Sequence, residues 1–303
     1  MNKRLRHIVL LNIEDTEMKI AVFGKNSLLA STLTDPSGKL DYTFFRHNEI
    51  EEVSGLLKSF DWVVNFAISP TFYSEILPIS QTIDYQISEA VKGSKTKFVF
   101  ISSRKVYKRK EGLNIYSEED ELEGLEPYSI NKINQEKYLT EALNEKLLIL
   151  RVPNIIARPK VIIGKNNSTF SAWLCNQLLR FRQVELERPH ERKDFISLPF
   201  FHQSLHRLLE NDASGIYNVS SGKAFEAYGL VTRYTGGQVV VNTVRSFTAT
   251  RDDFILSNEK LARDFNLSLS EKEFFGYVDL CAAELKELME GLSPKHLIVN
   301  KEP

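Results

Sequence analysis

Cysteine is scarce in this chain: Cys175 and Cys281 are the only two. Each sits in an apolar helical pattern and neither has metal-ligand spacing. Both therefore read as buried thiols in a reducing compartment, and no metal site is expected. Long hydrophobic runs are missing as well, none approaching the eighteen or so residues of a membrane span. Neither charge sign dominates, because 39 Lys and Arg stand against 40 Asp and Glu. That balance gives no reason to expect a nucleic-acid or anionic-membrane partner. Repeats and low-complexity tracts are absent. Residues 1–17 begin basic, but their short apolar run meets acidic residues, unlike a secretory signal. They read as an N-terminal extension, and the chain as cytoplasmic. At 303 residues it can bury a sizeable core as one large or two modest domains.

What is present centres on residues 98–132. The apolar run Phe98-Val99-Phe100-Ile101 reads as a buried parallel strand and ends in Ser102 and Ser103. Val106-Tyr107 and an acidic loop follow. Pro127-Tyr128-Ser129-Ile130-Asn131-Lys132 then opens a helix, with proline in the first turn, where its missing N–H costs nothing. Tyr128 and Lys132 are four apart and share a helical face. A free tyrosine titrates near pH 10 and exchanges protons poorly at neutrality. An ammonium beside it favours the phenolate and is expected to lower that pKa. Ser103, at a strand's carboxyl end, is placed to hold a substrate oxygen. Tyr-x-x-x-Lys alone is a common accident of sequence; the full order of strand, Ser-Ser, acidic loop and Pro-Tyr-x-x-x-Lys is not.

These residues resemble the extended branch of the short-chain dehydrogenase/reductases, which comprises nucleotide-sugar epimerases, dehydratases and ketoreductases. The resemblance implies a catalytic triad of Ser103, Tyr128 and Lys132. It also implies a doubly wound Rossmann-type parallel sheet with a smaller C-terminal α/β substrate-binding domain. The dinucleotide-binding domain would span 18–153, with returning segments near 193–220. Residues 154–192 and 221–292 would form the substrate-binding domain.

Lys19-Ile-Ala-Val-Phe23 reads as the first strand, followed by a turn and a helix to about Leu33. A glycine-rich turn belongs here, because the backbone must approach a pyrophosphate at a helix N-terminus. The family's three glycines are reduced to Gly24, Ser27 and Ala30, and Ser27 puts a side chain where phosphates should come closest. Gly24, Asn26, Ser27 and Leu28 are the cofactor candidates in this turn. The second strand, 41–45, ends at Arg46. With no acidic residue at that end for a ribose hydroxyl, Arg46 favours a 2′-phosphate and hence NADP, with NAD possible; a solvated loop charge is the competing reading. Residues 49–60 read as an amphipathic crossover helix. Trp62-Val-Val-Asn65-Phe-Ala67 resembles the family's fourth strand, with Asn65 and Ala67 near the cofactor together with Ser102, Tyr128 and Lys132. The loop 68–78 should lie at the carboxyl edge of the sheet. In the family, the helices matching 79–92 and the Tyr128 helix often pack against a second subunit, so the resemblance implies a homodimer.

Lys105, Lys108, Arg109 and Lys110 form a basic run that reads as surface, with Glu118–Glu121 as the acidic part of the same loop. Leu147-Leu-Ile-Leu-Arg151-Val-Pro-Asn154 resembles the family's sixth strand, and Arg192-Lys193-Asp194-Phe195-Ile196 its Arg-Asp-Phe-Ile segment. A nucleotide-sugar is the implied substrate, contacted by Ser103, Arg104, Asn154, Arg192 and Lys193. His202 and His206, four apart, read as surface or packing histidines. Helices are expected over 168–181 and 271–292. The reading that results is an NADPH-dependent reductase of a nucleotide-linked 4-keto-6-deoxy sugar. An NAD-dependent nucleotide-sugar 4-epimerase and a non-catalytic dinucleotide-binding protein are the alternatives.

Overall fold

The structure is a computed structural model that describes residues 17–110, 112–162, 169–186, 189–237, 240–243 and 253–291. Residues 1–16, Ser168 and the tail from 292 lie outside the described residues, so the expectations placed there do too.

Six strands form one parallel sheet: β1 (Met18–Phe23), β2 (Leu40–Phe45), β3 (Trp62–Asn65), β4 (Lys97–Ser103), β5 (Leu147–Val152) and β6 (Gly215–Asn218). Their order is β6-β5-β4-β3-β1-β2. Such strands are covered on both faces and read as continuous apolar runs, and all six residues of β5 are buried. Side chains alternate between two cores. On one face Ala21, Phe23, Val63, Phe98 and Phe100 pack with Ile87 and Leu139. These come from α1 (Ile83–Val91) and α2 (Pro127–Leu143). On the other face Ile20, Val22, Val64, Val99 and Leu150 pack with Leu205, Leu208, Phe274 and Val278. These come from α3 (Leu198–Glu210) and α4 (Glu271–Gly291). The sheet with helices on both faces is the doubly wound Rossmann-type arrangement. β6 supplies the returning segment of the central sheet. Smaller sheets pair Asn154–Ile156 with Phe195–Ser197, Gln183–Leu186 with Val240–Thr243, and Leu113–Tyr116 with Asp253–Leu256. Among the described residues no helix is long and apolar enough to cross a membrane. Cys175 and Cys281 are both buried and free.

Two local expectations fail. Residues 24–39 form successive turns, not a helix. Their backbone is satisfied by side chains instead: Ser27 Oγ accepts from Ala30 N–H at 3.1 Å, Ser31 Oγ donates to Leu28 O at 2.7 Å, and Asp35 gathers the N–H groups of Ser37, Lys39 and Leu40. Short hydroxyl and carboxylate side chains compete with a helix in this way. Leu28, Ala30 and Leu33 are still buried, so the apolar spacing served turns as well as it would have served a helix. Trp62–Asn65 lies directly beside β1, the place of the fourth strand in the doubly wound order, and β2 is the edge of the sheet. Second, the crossover 49–60 is broken into His47–Glu49, Ile50–Val53 and Leu57–Ser59 around Gly55, a residue that disfavours helix interiors.

Candidate active site

Ser102 and Ser103 end β4 and diverge. Ser103 caps the next turn, accepting from Lys105 N–H at 3.3 Å, and it sits beside the Tyr128 phenol. Ser102 instead donates to the Glu136 carboxylate. Arg151 grips the same carboxylate through Nε at 3.1 and 3.2 Å and Nη2 at 2.6 Å. Arg151 also donates to Tyr107 Oη at 3.0 Å, and Tyr107 donates to Asn218 Oδ1 at 2.7 Å. Ser102 is thereby committed to a buried ion pair that joins α2 to β5.

One helical turn separates Tyr128 from Lys132 on α2. Lys132 Nζ donates to Ile101 O at 2.7 Å and lies over Phe100 and Phe72, 4.5 and 5.0 Å from their ring centroids. Burial pushes its pKa down to about 8, against the pull of Asp84 and Glu136. The phenol behaves otherwise than the spacing predicts. Tyr73 stacks on the Tyr128 ring at 5.0 Å and 6°, and Phe72 meets it edge-on at 5.8 Å. Burial under these rings pushes the phenol well above its ordinary pKa, and Tyr73 adds to the rise. Ser103 and Arg104, rather than Lys132, are the chief groups that oppose it. Lys132 Nζ is 6.0 Å from the Tyr128 ring and is spent on a carbonyl. Desolvation therefore wins over the ammonium.

The loop 68–78 holds Phe72 and Tyr73 in place through Asn131, the residue before Lys132. Its Nδ2 donates to Phe72 O at 3.1 Å and Glu75 O at 2.7 Å, and its Oδ1 accepts from Leu77 N–H at 2.9 Å. Asn131, Phe72 and Tyr73 escaped sequence reasoning. A polar residue on the buried side of a helix is the one signal that could have exposed Asn131.

On the cofactor side, Gly24 has φ +88°, and a Cβ there would lie 2.7 Å from Ala67 N and 2.8 Å from Phe66 C. Asn65 shapes that contact by accepting from Ala67 N–H at 2.9 Å and donating to Asp84 at 2.6 Å. Gly24, Asn65 and Ala67 are thus brought together. Gly24→Ala should lower the melting temperature by several degrees. The left-handed backbone alone costs an alanine about 1–2 kcal/mol, before the clash is counted; unchanged thermal denaturation would contradict this packing. Arg46 is exposed at the end of β2 and forms no ion pair among the described residues. A cavity of about 250 Å³ runs from its neighbour His47 past Ala67, Ser69 and Phe72 to Asp84 and Gln135.

The substrate candidates are held in different ways. Arg104, beside Tyr128, lies 5.2 Å from the Phe254 ring centroid, and burial lowers its pKa. Asn154 donates to Asp194 O at 3.2 Å, Arg192 to Ala224 O at 3.0 Å, and Lys193 pairs with Glu191 at 2.8 Å. The basic loop is a surface feature: Lys105, Lys108 and Lys110 pair with Glu126, Glu121 and Asp120. His202 is buried, its Nε2 2.8 Å from Leu29 O, and His206 packs on Tyr42 at 5.9 Å. Both are packing residues and His202 is no surface residue.

Do these residues fit a nicotinamide dinucleotide? In the turn after β1, the N–H groups of Asn26, Leu28 and Leu29 have no partner among the described residues. Those of Gly24 and Lys25 are spent on Phe45 O, both at 3.1 Å. The free donors suit a diphosphate, although no helix dipole reinforces them. At the carboxyl end of β4, Ser103 and Tyr128 lie side by side, with Lys132 Nζ 6.0 Å from the Tyr128 ring. The residues fit.

The fold and this site define a Rossmann-type protein built for nucleotide-dependent chemistry at the carboxyl edge of its sheet. A model of the NAD dependent epimerase/dehydratase family matches residues 38–220. The chain belongs to that family, the extended branch of the short-chain dehydrogenase/reductases, whose members are enzymes dependent on a nicotinamide dinucleotide. The match begins beyond the Gly24 turn, where the chain departs most from the pattern. No curated protein matches the sequence. Among solved structures, the fold resembles a dTDP-4-dehydrorhamnose reductase of Clostridium acetobutylicum ATCC 824, with 15% identity, TM-score 0.70, and coverage of 89% of this chain and 100% of that one. RMD of Pseudomonas aeruginosa, solved with NADPH, shows 18% identity, TM-score 0.72 and coverage of 90% and 98%. The UDP-N-acetylglucosamine 4-epimerase of Methanobrevibacter ruminantium M1, solved with UDP-N-acetylmuramic acid, shows 17%, 0.72, 90% and 100%. At such identities the likeness is one of fold.

Proposed function

We propose that the chain reduces a nucleotide-linked 4-keto-6-deoxy sugar with NADPH. The observation that carries this reading is the place of the Tyr128 phenol, stacked on Tyr73, edge-on to Phe72 and beside Ser103 at the end of β4. A reduction needs an acid at the forming alkoxide, whereas an epimerase must first remove a proton from its substrate. The reductases of similar fold support the substrate class. The bound cofactor supplies the hydride to the keto carbon. Tyr128 gives its proton to the carbonyl oxygen that Ser103 holds. Lys132 serves the nicotinamide ribose, and the free N–H groups of Asn26, Leu28 and Leu29 the diphosphate. Arg104, Asn154, Arg192 and Lys193 belong to the nucleotide-sugar side, with 154–192 and 221–292 as the substrate-binding part. A homodimer through the outer faces of α1 and α2, where Tyr85 and Tyr138 meet at 5.4 Å, belongs to the same proposal.

The test is consumption of NADPH with dTDP-, GDP- or UDP-linked 4-keto sugars, followed by absorbance. Tightly retained NAD with no net consumption would instead favour the 4-epimerase. Absence of both dinucleotide binding and turnover would leave a non-catalytic protein. Arg46→Ala should weaken NADPH at least about tenfold and NADH much less, since a charge-assisted hydrogen bond is worth roughly 1.5–3 kcal/mol. Equal losses for the two cofactors would remove Arg46 from the 2′-phosphate.

A further inference from the structure

We propose that Arg104 is the anchor for the diphosphate of the nucleotide-sugar, gripping it beside Ser103 and Tyr128 from the short turn that follows β4. This deepens the reductase reading and rests on it: a 4-keto-6-deoxy sugar carries no charge of its own, so the anion such a substrate brings is its diphosphate.

The guanidinium is held in place by rings and left without an anion. Arg104 opens the turn Arg104–Val106, directly after Ser103. Its side chain is partly buried and lies 5.2 Å from the centroid of the Phe254 ring. Phe254 in turn stacks on the buried Tyr116 at 4.3 Å and 19°, and Tyr116 packs against Tyr107 at 5.4 Å. Phe254 and Tyr116 belong to the paired strands Asp253–Leu256 and Leu113–Tyr116. An aromatic stack from the small sheet thus supports the guanidinium, a support that suits the planar arginine head better than a lysine ammonium.

Three carboxylates lie near enough to act on Arg104: Glu191, Asp194 and Glu126. Each is already engaged. Glu191 pairs with Lys193 at 2.8 Å, and Glu126 pairs with Lys105. Asp194, fully buried, accepts from the hydroxyls of Ser220 and Ser221 and from Leu256 N–H. Arg109, a further charged neighbour, repels Arg104. Among the described residues the Arg104 guanidinium forms neither a hydrogen bond nor an ion pair. Drawing a charge out of water is costly unless a partner is supplied, and here the chain supplies none. Five N–H donors in one plane match two oxygens of a phosphate. The partner therefore comes from outside the chain, at the place where Ser103 and Tyr128 receive the reacting end of the substrate.

Calorimetric titration with UDP, dTDP and GDP tests this without cofactor or turnover, and the tightest of the three is carried forward. Arg104→Met keeps an unbranched apolar stem over Phe254 and removes the charge. It should weaken that nucleoside diphosphate at least about tenfold, the worth of a hydrogen bond to a charged group. The salt dependence of binding should flatten at the same time. Arg104→Lys, a point charge without the fork, should fall between the two. The NADPH dissociation constant should stay within about twofold in both variants. Equal diphosphate affinity in wild type and Arg104→Met overturns the proposal, and an equal loss for NADPH does so too, because it would mark a deformed cleft. Binding of none of the three diphosphates by the wild type also overturns it. A loss confined to UDP-glucuronate, with UDP and UDP-glucose unchanged, would give Arg104 a sugar carboxylate and end the diphosphate assignment. NADPH consumption with 4-keto sugars is measured separately. Its absence in a protein whose diphosphate binding depends on Arg104 would remove the reductase reading and leave the anchor standing.

Discussion

Tyr128→Phe should lower turnover by about 10² to 10⁴, the usual worth of a positioned general acid, while the NADPH dissociation constant stays within about twofold. Phenylalanine keeps the ring that stacks on Tyr73 and meets Phe72, so the cleft should retain its shape. What is lost is the O–H that Ser103 orients. Fluorescence quenching by NADPH and single-turnover reduction separate the two effects. A Tyr128→Phe enzyme that still reduces its substrate at more than a tenth of the wild-type rate would move the proton donor elsewhere and take the reductase proposal with it.

The largest effect on stability should come from Glu136→Ala. Glu136 and Arg151 are almost fully buried, with side-chain exposures of 4% and 3%. The carboxylate takes three contacts from the guanidinium and one from Ser102. Removing one partner of such a pair leaves an uncompensated buried charge and costs about 3–5 kcal/mol. In a chain of this size that lowers the melting temperature on the order of ten degrees. Glu136→Gln, which keeps an acceptor for Ser102, should lose less. A paired Glu136→Leu/Arg151→Met variant should recover much of the loss, since an apolar replacement of both partners can be nearly neutral. Calorimetric scans of the three variants provide the check. Were Glu136→Ala to melt within about 2 °C of the wild type, Arg151 would have to be finding another partner or water.

These two experiments probe features that differ in how readily the sequence shows them. The strands were legible because a parallel strand covered on both faces must be apolar throughout, and 98–101 and 147–150 are. The order Ser-Ser, acidic loop, Pro-Tyr-x-x-x-Lys was legible because helical periodicity puts Tyr128 and Lys132 one turn apart wherever that helix packs. Arg151 is a charge inside an apolar strand, yet nothing in the sequence names Glu136 as its partner. The connection after β1 misled: Leu28, Leu29 and Leu33 fit a helix, but Ser27, Ser31 and Asp35 satisfied the backbone in turns, and His202 from α3 meets Leu29 O.

The sequence by itself determined the parallel sheet, the helix that presents a phenol and an amine on one face, and the hydroxyl at the strand's end, all consequences of periodicity within short stretches. Only the tertiary structure decided which way the phenol's proton equilibrium leans. That balance depends on partial burial against Tyr73 and Phe72, rings from a loop distant in the chain, and on Lys132 being spent on a carbonyl. Exclusion of solvent is a property of the packed surface, and no spacing of residues encodes it.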